Sequence, residues 1–598
     1  MFQTFDVVSS PKTGPSRLTA LRAEMQAQKI DGFLVPRADR FQGEYVAPCD
    51  DRLMWLTGFT GSAGFACVLA DVAGVFIDGR YRTQVRNQVA DVFTPVHWPE
   101  VQLTDWLKEQ SGFFRLAFDP WLHTMAQLEA LEKGLHGTGI ALVSTHNLVD
   151  EIWSDRPDPP NAPFKVYSDS MSGETSQSKR ARIGQELRDA GHAAALIASP
   201  DSVAWLLNIR GADVARNPVP HAMALLKANS NVTLFCELTQ AKDLALDDGV
   251  TIVAVDQMIP TLVATGAPVR LDPSSTPFAI HQALEPDKIV ADQDPCLLPK
   301  ARKTSAEING ARNAHLRDGV AMVRFLSWLD YAAPRGGLTE IDVVKALEGY
   351  RRDTKVLLDI AFETICGAGP NGAIVHYRVN HNTNRPIKLG ELLLVDSGGQ
   401  YLDGTTDITR TIAIGDVSET EKSCYTRVLQ GMIAISRVRF PNLKSGGVAG
   451  SDLDALARYP LWLAGLDYDH GTGHGVGAYL SVHEGPQGLS RRAKTPLEVG
   501  MILSNEPGYY REGKFGIRIE NLIVVKEAEA IAGGDAREML DFETLTFVPL
   551  DRRLINHKLL SSGERTWINC YHSDILKKIA PLVDGAALKW LISVCAPI

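Results

Sequence analysis

Five residues in the last third of the chain, Asp396, Asp407, His474, Glu506 and Glu520, are four carboxylates and one imidazole, each in a strand-like or glycine-marked stretch. Oxygen and nitrogen ligands of this kind suit divalent cations, and the number suffices for two ions. Residues 392–411 read as an apolar strand, a glycine-punctuated turn and a returning strand rich in Thr and Ile. With the turn centred near Tyr401 and Leu402, Asp396 and Asp407 are expected to face each other. Directly opposed positions lie about 5 Å apart at Cβ, where two carboxylates repel unless a cation sits between them. The arrangement recurs: 501–506 is expected to pair with 515–520 across a connection at 507–513, so that Glu506 and Glu520 lie symmetrically about Gly513.

Simpler readings exist for each element. A single Asp at a strand end commonly forms a turn, and Arg410 or Arg518 could neutralise an acid without any metal. Arg518 lies two residues before Glu520, on the same strand face, and is a candidate partner for a ligand carboxylate; Tyr510, four after Glu506, is a further one. Between the hairpins runs His470-Gly471-Thr472-Gly473-His474-Gly475-Val476-Gly477. Two His four apart suggest a helical zinc pair, but the intervening Glu of such proteases is missing. Four glycines in eight positions, at about 1 kcal/mol each, argue for a loop or bent strand in which only one His need be a ligand. Nor do these glycines form a phosphate-binding Gly-x-x-x-x-Gly-Lys-Ser/Thr run.

The stretch Gly367-Ala368-Gly369-Pro370-Asn371-Gly372-Ala373-Ile374-Val375-His376-Tyr377, taken with the two hairpins, resembles the metallopeptidases of the pita-bread fold. The resemblance is strongest to the long, three-domain cytosolic form of aminopeptidase P (Xaa-Pro aminopeptidase). It extends over essentially the whole chain, most clearly from about 360 to 550, with all five ligand positions filled in order. It implies two creatinase-like α/β domains followed by a pita-bread catalytic domain, an α/β (α+β) architecture.

The resemblance further implies that Asp396 holds one metal through both oxygens, that Asp407 and Glu520 bridge two ions, and that His474 and Glu506 complete the second. Two such cations lower the pKa of a shared water toward neutrality, giving a bridging hydroxide nucleophile, and polarise the scissile carbonyl. Glu506 is then the candidate to move the proton to the leaving nitrogen. His376 and His483 match histidines that flank the substrate, and His470 one that shuttles a proton near it. By itself, a His such as His376 after an apolar run is more often a satisfied core residue. The carboxylate-rich, thiolate-free set favours manganese, with cobalt or zinc as alternatives.

The implied reaction is removal of the first residue from peptides with proline second, by a homodimer. Within the same fold the alternatives are an Xaa-Pro dipeptidase (prolidase), a methionine aminopeptidase, which leaves nearly 300 N-terminal residues unexplained, and a metal-free creatinase-like hydrolase, which has no use for five ligands. From another class, the fold could serve as a non-catalytic peptide-binding module.

Composition limits the rest. At 598 residues, 45% hydrophobic and 22% charged, the chain has room for three or four globular domains. No run approaches the length of a membrane span, and the start lacks the basic and apolar regions of a secretory signal. A net charge of -10 without a basic cluster disfavours nucleic acid as a partner. Eight scattered cysteines read as reduced thiols, consistent with a cytoplasmic protein. Proline marks the boundaries, at 154–163 and 294–300, giving expected domains 1–160, 161–299 and 300–598. Thr304-Ser305-Ala306-Glu307 reads as a capping box opening a long helix toward Tyr331. A helix, a strand and a Trp-Leu segment with a glycine turn occur at 21–61 and again at 183–211, which reads as a duplication. The tail beyond Pro549 is expected to pack on the catalytic domain.

Overall fold

Two α/β segments of one topology open the chain. In the computed structural model, which describes residues 1–110, 114–443 and 446–598, the chain divides into two units, Val8–Lys300 and Met1–Val7 with Ala301–Ile598. In the first unit, strands β1 (Gly32–Pro36), β2 (Phe65–Leu69), β3 (Ala73–Ile77), β4 (Thr94–His97), β5 (Arg115–Phe118) and β6 (Ala141–Ser144) form a sheet of order β4-β3-β2-β1-β5-β6. Strands β7 (Ala194–Ile197), β8 (Met223–Lys227), β9 (Val232–Cys236), β10 (Val250–Ala254), β11 (Val269–Leu271) and β12 (Ile289–Ala291) repeat it as β10-β9-β8-β7-β11-β12. Strand directions agree throughout: the first two hairpin steps are antiparallel and the outer pairings parallel in both sheets.

Helices repeat with the strands. α1 (Gly14–Ala27) precedes β1 and α2 (Arg52–Thr57) carries Trp55, just as α3 (Ser176–Asp189) precedes β7 and α4 (Pro200–Leu207) carries Trp205. The Trp-Leu segments are thus short helices, each ending on a left-handed residue, Gly58 or Asn208. The duplication is a repeated fold unit, with hydrophobic strand positions buried on the sheet faces. The Pro-rich stretch after Trp153 carries no helix or strand before Lys165, as its prolines dictate, whereas the second expected break contains a short helix, Leu297–Ala301.

The second unit is built from two helix pairs, each leading into a broken hairpin. α5 (Ser305–Ala332) starts on the expected capping box, Thr304 and Glu307 bonding each other's main chain, an arrangement worth about 1 kcal/mol. α6 (Glu340–Arg352) packs on it, and their apolar faces cover β13 (Ile365–Ala368) and β14 (Glu391–Ser397). The chain continues as β15 (Gly399–Tyr401), β16 (Gly404–Thr405) and β17 (Ile408–Ile414). α7 (Glu419–Arg437) and α8 (Gly450–Trp462) form the second pair, with β18 (Phe440–Pro441) between them. Then follow β19 (Gly473–Gly475), β20 (Glu484–Leu489), β21 (Ile502–Asn505), β22 (Gly508–Arg511), β23 (Phe515–Arg518), β24 (Asn521–Glu527) and β25 (Met539–Thr544). One sheet has the order β13-β14-β17 and another β18-β25-β24-β21-β19-β20, while β15 with β16 and β22 with β23 belong to smaller sheets.

The two halves correspond in detail. Pro386 bridges Thr339, the residue capping α6, and Pro496 bridges Ala449, the residue capping α8. Pro386 and Gly390 precede Asp396 at the same spacing as Pro496 and Gly500 precede Glu506. The tail forms α9 (Ser562–Ile579) and α10 (Gly585–Val594), whose Ile568, Ile575 and Leu591 join the core of α7, Phe515 and Ile517. All eight cysteines are free thiols, and no helix among the described residues is long and apolar enough to cross a membrane.

Candidate active site

Each hairpin is interrupted, and the acids lie at or beside the interruptions. β14 pairs with β17 so that Asp396 faces Thr409, and the ladder ends at Ser397 and Ile408. β15 and β16 continue in the same register, leaving Gly398, Thr406 and Asp407 between the two ladders. Asp407 is therefore two positions from the residue opposite Asp396, not directly opposed as expected, because the tip is Leu402–Asp403 and not Tyr401–Leu402. Side chains alternate with period two, so this shift leaves both acids on one face, as diagonal neighbours.

The second hairpin keeps the expected symmetry but not the expected partners. β21 pairs with β24, Asn505 facing Asn521, while β22 pairs with β23, Gly508 facing Arg518. Glu506 and Glu520 lie between those ladders, symmetric about Gly513, with Pro507 unable to donate to the ladder. Residues 508–511 are a strand, not part of a long connection. At each break the freed main chain bonds the neighbouring segment. The Glu506 amide donates to Thr472 O at 2.8 Å, and the Glu520 amide to Thr409 O at 3.1 Å. These bonds draw both hairpins and the His segment to one point.

His474 sits in β19, a bent strand with a bulge at Gly475, as its glycines foretold. A Cβ on Gly473 would come within 1.9 Å of Ser504 O, and one on Gly475 within 2.2 Å of Glu484 O, so glycines must flank His474 for β19 to nest against its neighbours. His474 Nδ1 donates to Gly475 O at 2.9 Å, which leaves Nε2 facing Glu506 Oε1 at 3.3 Å and Asp407 Oδ2 at 3.5 Å. Ligand atoms of Asp407, His474 and Glu520 lie within 4.8 Å of one another.

Three buried carboxylate oxygens here, Asp396 Oδ1, Asp407 Oδ1 and Glu520 Oε1, have no hydrogen-bond partner. An unsatisfied buried acceptor costs about 1–3 kcal/mol, more when charged. Asp407 and Glu520 cluster with His474, and Asp396 is near enough to Asp407 for their charges to interact, so these oxygens with His474 Nε2 fit divalent metal.

The electrostatics carry the same signature. Burial raises the Asp396 carboxyl to about 6, with Asp407 and Glu506 adding to it and Arg518 opposing. Burial, then Asp407, Glu506 and Asp396, push Glu520 well above the carboxylate range. Burial would raise Glu506 too, but the hydrogen bond and charge of His474 overcome it and hold Glu506 down to about 2. Burial disfavours the His474 imidazolium, yet its bonds to Asp407 and Glu506 raise it well above normal. In the absence of metal, a proton on His474 thus takes the place of positive charge among the acids.

Around the ligands runs an oriented chain of bonds. Arg518 Nη2 donates to Asp396 Oδ2 at 2.5 Å, Nη1 to Tyr510 OH at 2.6 Å, and Nε to Thr409 Oγ1 at 3.2 Å. Thr409 Oγ1 donates in turn to Glu520 Oε2 at 2.8 Å. Tyr510 OH lies 2.9 Å from His470 Nε2, while His470 Nδ1 donates to Gly471 O at 2.7 Å. Both His470 nitrogens are thereby engaged, and burial lowers it to about 4, so the imidazole is neutral at pH 7. A proton relay from His470 would run through Tyr510. Of the two alternative neutralising arginines, Arg518 pairs with a ligand acid and Arg410 with none.

His483 packs edge-on against His474, ring centroids 4.1 Å apart. His376 is half-buried in the turn after the 3-10 segment Gly369–Ala373, which packs on β23: a Cβ on Gly516 would come within 1.7 Å of Gly372 O. Unforeseen in the sequence were Thr409, Ser504, which donates to Glu506 Oε1 at 3.0 Å, and Glu340. The buried Glu340 carboxylate accepts from Ala368 N, Asn371 Nδ2, Tyr377 OH and Arg385 N, and so ties down the loop that carries His376. The buried pair Lys303–Glu484 anchors the residue after His483.

Residues 309–527 match metallopeptidase family M24, 17–152 and 155–307 each match the creatinase/prolidase N-terminal domain, and 538–598 match the C-terminal region of peptidase M24. Aminopeptidase P2 of Arabidopsis thaliana is 38% identical, over 94% of this chain and 85% of that one. The chain belongs to the aminopeptidase P group of metallopeptidase family M24. A probable Xaa-Pro aminopeptidase P of Laccaria bicolor is 37% identical, over 97% of this chain and 93% of its own length. The crystal structure of X-prolyl aminopeptidase from Caenorhabditis elegans, a cytosolic enzyme with a di-nuclear active site, superposes with a TM-score of 0.92 at 32% identity, covering 98% of this chain and all of that one. The fold is accordingly two creatinase-type α/β domains followed by a pita-bread domain.

Proposed function

We propose that this chain is a metalloaminopeptidase that hydrolyses the bond between the first residue of a peptide and a proline in second position. The observation that carries the reading is the cluster of Asp407, His474 and Glu520, with Glu506 against His474 Nε2 and Asp396 close enough to feel the Asp407 charge, and with buried oxygens of Asp396, Asp407 and Glu520 unpartnered. The names of the relatives support the proline preference, and the di-nuclear site of the C. elegans enzyme supports two metal ions. Asp396, Asp407, His474, Glu506 and Glu520 would hold two divalent cations, manganese by the donor set, with cobalt or zinc as substitutes. When bound, such ions lower the pKa of a water toward neutrality and polarise the scissile carbonyl.

The remaining work falls to the chain. Glu506, ionised through the neutral range, accepts the proton of the attacking water and delivers it to the leaving proline nitrogen. Arg518 fixes Asp396, and Thr409 fixes Glu520. His483 and His376 flank the substrate.

We read the chain as three domains, 1–160, 161–299 and 300–598, in a cytoplasmic homodimer. The exposed side chains Leu456, Tyr459 and Trp462, at helical spacing on α8, with Leu463 just past its end, offer an apolar stripe for the second copy. A monomeric mass by light scattering would exclude the dimer.

The test is hydrolysis of Arg-Pro-Pro and Arg-Ala-Ala by metal-stripped protein, with and without manganese. Metal-dependent release of Arg from Arg-Pro-Pro alone is expected. Cleavage of both would make the enzyme a broad aminopeptidase, and cleavage of neither would favour a dipeptidase or a binding module.

A further inference from the structure

The C-terminal helix α9 reaches the ligand segments through the hydroxyl of Tyr571. Arg410 is buried, and among the described residues no carboxylate pairs with it. Its guanidinium donates instead to neutral oxygens: Nη1 to Glu520 O at 2.6 Å and Thr409 O at 2.9 Å, Nε to Pro549 O at 3.1 Å, and Nη2 toward Val548 O at 2.7 Å, Asn521 Oδ1 at 2.8 Å and Tyr571 OH at 3.0 Å. Thr409 and Glu520 are the same two residues whose amide and carbonyl bond, and whose side chains meet at 2.8 Å. Arg410 thus staples β17 to the start of β24 where Glu520 leaves the ladder.

Tyr571 completes the far side of that staple. Its hydroxyl accepts from Arg410 and from Val548 N at 3.3 Å, and its single hydrogen faces Val548 O at 2.9 Å, Thr546 O at 3.1 Å and Asn521 Oδ1 at 3.3 Å. Two Nη2 hydrogens face three oxygens, so this hydroxyl decides how Arg410, Asn521 and Val548 share them. The ring is held by a stack on Trp567, centroids 5.1 Å apart.

We infer that Tyr571 is a positioning residue for the divalent-cation site: through Arg410 it fixes the main chain of Glu520, and with it the aim of the unpartnered Glu520 Oε1. The inference rests on the metal reading above and gives the tail a task beyond packing. Groups that orient metal ligands change affinity about 10–100-fold when removed, which sets the expected size.

The experiment is titration calorimetry of manganese into metal-stripped, full-length protein as wild type, Tyr571→Phe, Arg410→Lys, the double variant, and Ile575→Val, a packing control on the same helix. Tyr571→Phe and Arg410→Lys should each weaken binding at least about tenfold. The double variant should bind no worse than the weaker single one, because both act on one staple. Ile575→Val should lower the melting temperature and leave affinity alone. Unchanged affinity in Tyr571→Phe, or an equal loss in Ile575→Val, would overturn the inference. A wild type that binds no divalent cation would instead sink the metal reading. Should Tyr571→Phe not fold, 3-fluorotyrosine placed at 571 keeps the hydroxyl; its fluorine resonance should shift as diamagnetic zinc binds, and a static resonance would overturn the inference equally.

Discussion

Asp396 is divided between two tasks: Oδ2 is held by Arg518 Nη2 at 2.5 Å, while Oδ1 is buried without a partner. The guanidinium reaches Tyr510 and Thr409 with its other nitrogens, so one rigid fork orients Asp396 directly and Glu520 through the Thr409 hydroxyl. A lysine could keep the charge and meet Asp396, but a single ammonium cannot span all three groups. Arg518→Lys should therefore weaken manganese binding about 10–100-fold, roughly 1.4–2.8 kcal/mol, with the fold retained. Calorimetry and circular dichroism of the pair check this, and wild-type affinity would show that charge alone suffices.

Glu506 is the acid that the site keeps most strongly ionised, held down to about 2 against its burial by His474. If it accepts the proton as proposed, it is the position where a neutral isostere tells an enzyme from a binding module. Glu506→Gln should lower kcat/KM on Arg-Pro-Pro by at least about 100-fold without unfolding the protein. A peptide-binding module would bind its ligand unchanged by this substitution, so peptide affinity measured in parallel distinguishes the two.

The candidate ligand set shows in the sequence as acids on one face of apolar strands, a pattern that turn formation or pairing with Arg518 could also explain, and the roles within it come from the family resemblance. Register was less legible. The tip lies at Leu402–Asp403, and the two-position error was harmless because it preserved the face. The repeat of Pro386, Gly390 and Asp396 in Pro496, Gly500 and Glu506 was equally available, and relates the first acid of each hairpin. Thr409 was hidden, since a Thr in a Thr-rich strand looks like β propensity alone. Arg410 to Tyr571 and Glu340 to Tyr377 were beyond reach because only tertiary packing joins such distant segments.

The raised acids make metal and pH act together on stability. Asp396 is raised from 3.8 to about 6, so what it contributes to the metal-free fold is full below about pH 3.8 and lost as pH rises through 6. Glu520, raised further, adds the same sign at higher pH. Glu506 works oppositely, but its contribution is complete above about 4.5 and fades only as pH falls through 2, so it is constant over this window. Cations bind the ionised acids and remove the penalty. The gap in melting temperature between manganese-loaded and metal-stripped protein should therefore widen from pH 5 to 7.5. A gap that is constant or narrows over that range would show that the acids are compensated within the chain.

His376, proposed to flank the substrate, follows a segment whose packing tolerates no side chain at Gly516, where β23 meets Gly372 O. A Cβ there would sit 1.7 Å from that oxygen, so Gly516→Ala must push the 369–373 segment away from β23, and His376 follows in the next turn. None of the five proposed ligands lies on 369–373, and because Gly516 shares β23 with Arg518, manganese affinity reports whether β23 has stayed in place. Gly516→Ala should lose activity on Arg-Pro-Pro to about the level of His376→Ala, roughly 100- to 1,000-fold if the histidine steadies the reacting carbonyl, while manganese affinity is retained. Combining the two should cost little more than either alone, since both remove the same contact. If the double variant instead shows the product of two independent losses, His376 is placed by something other than the Gly372–Gly516 approach, and the buried Glu340 hub becomes the element to test.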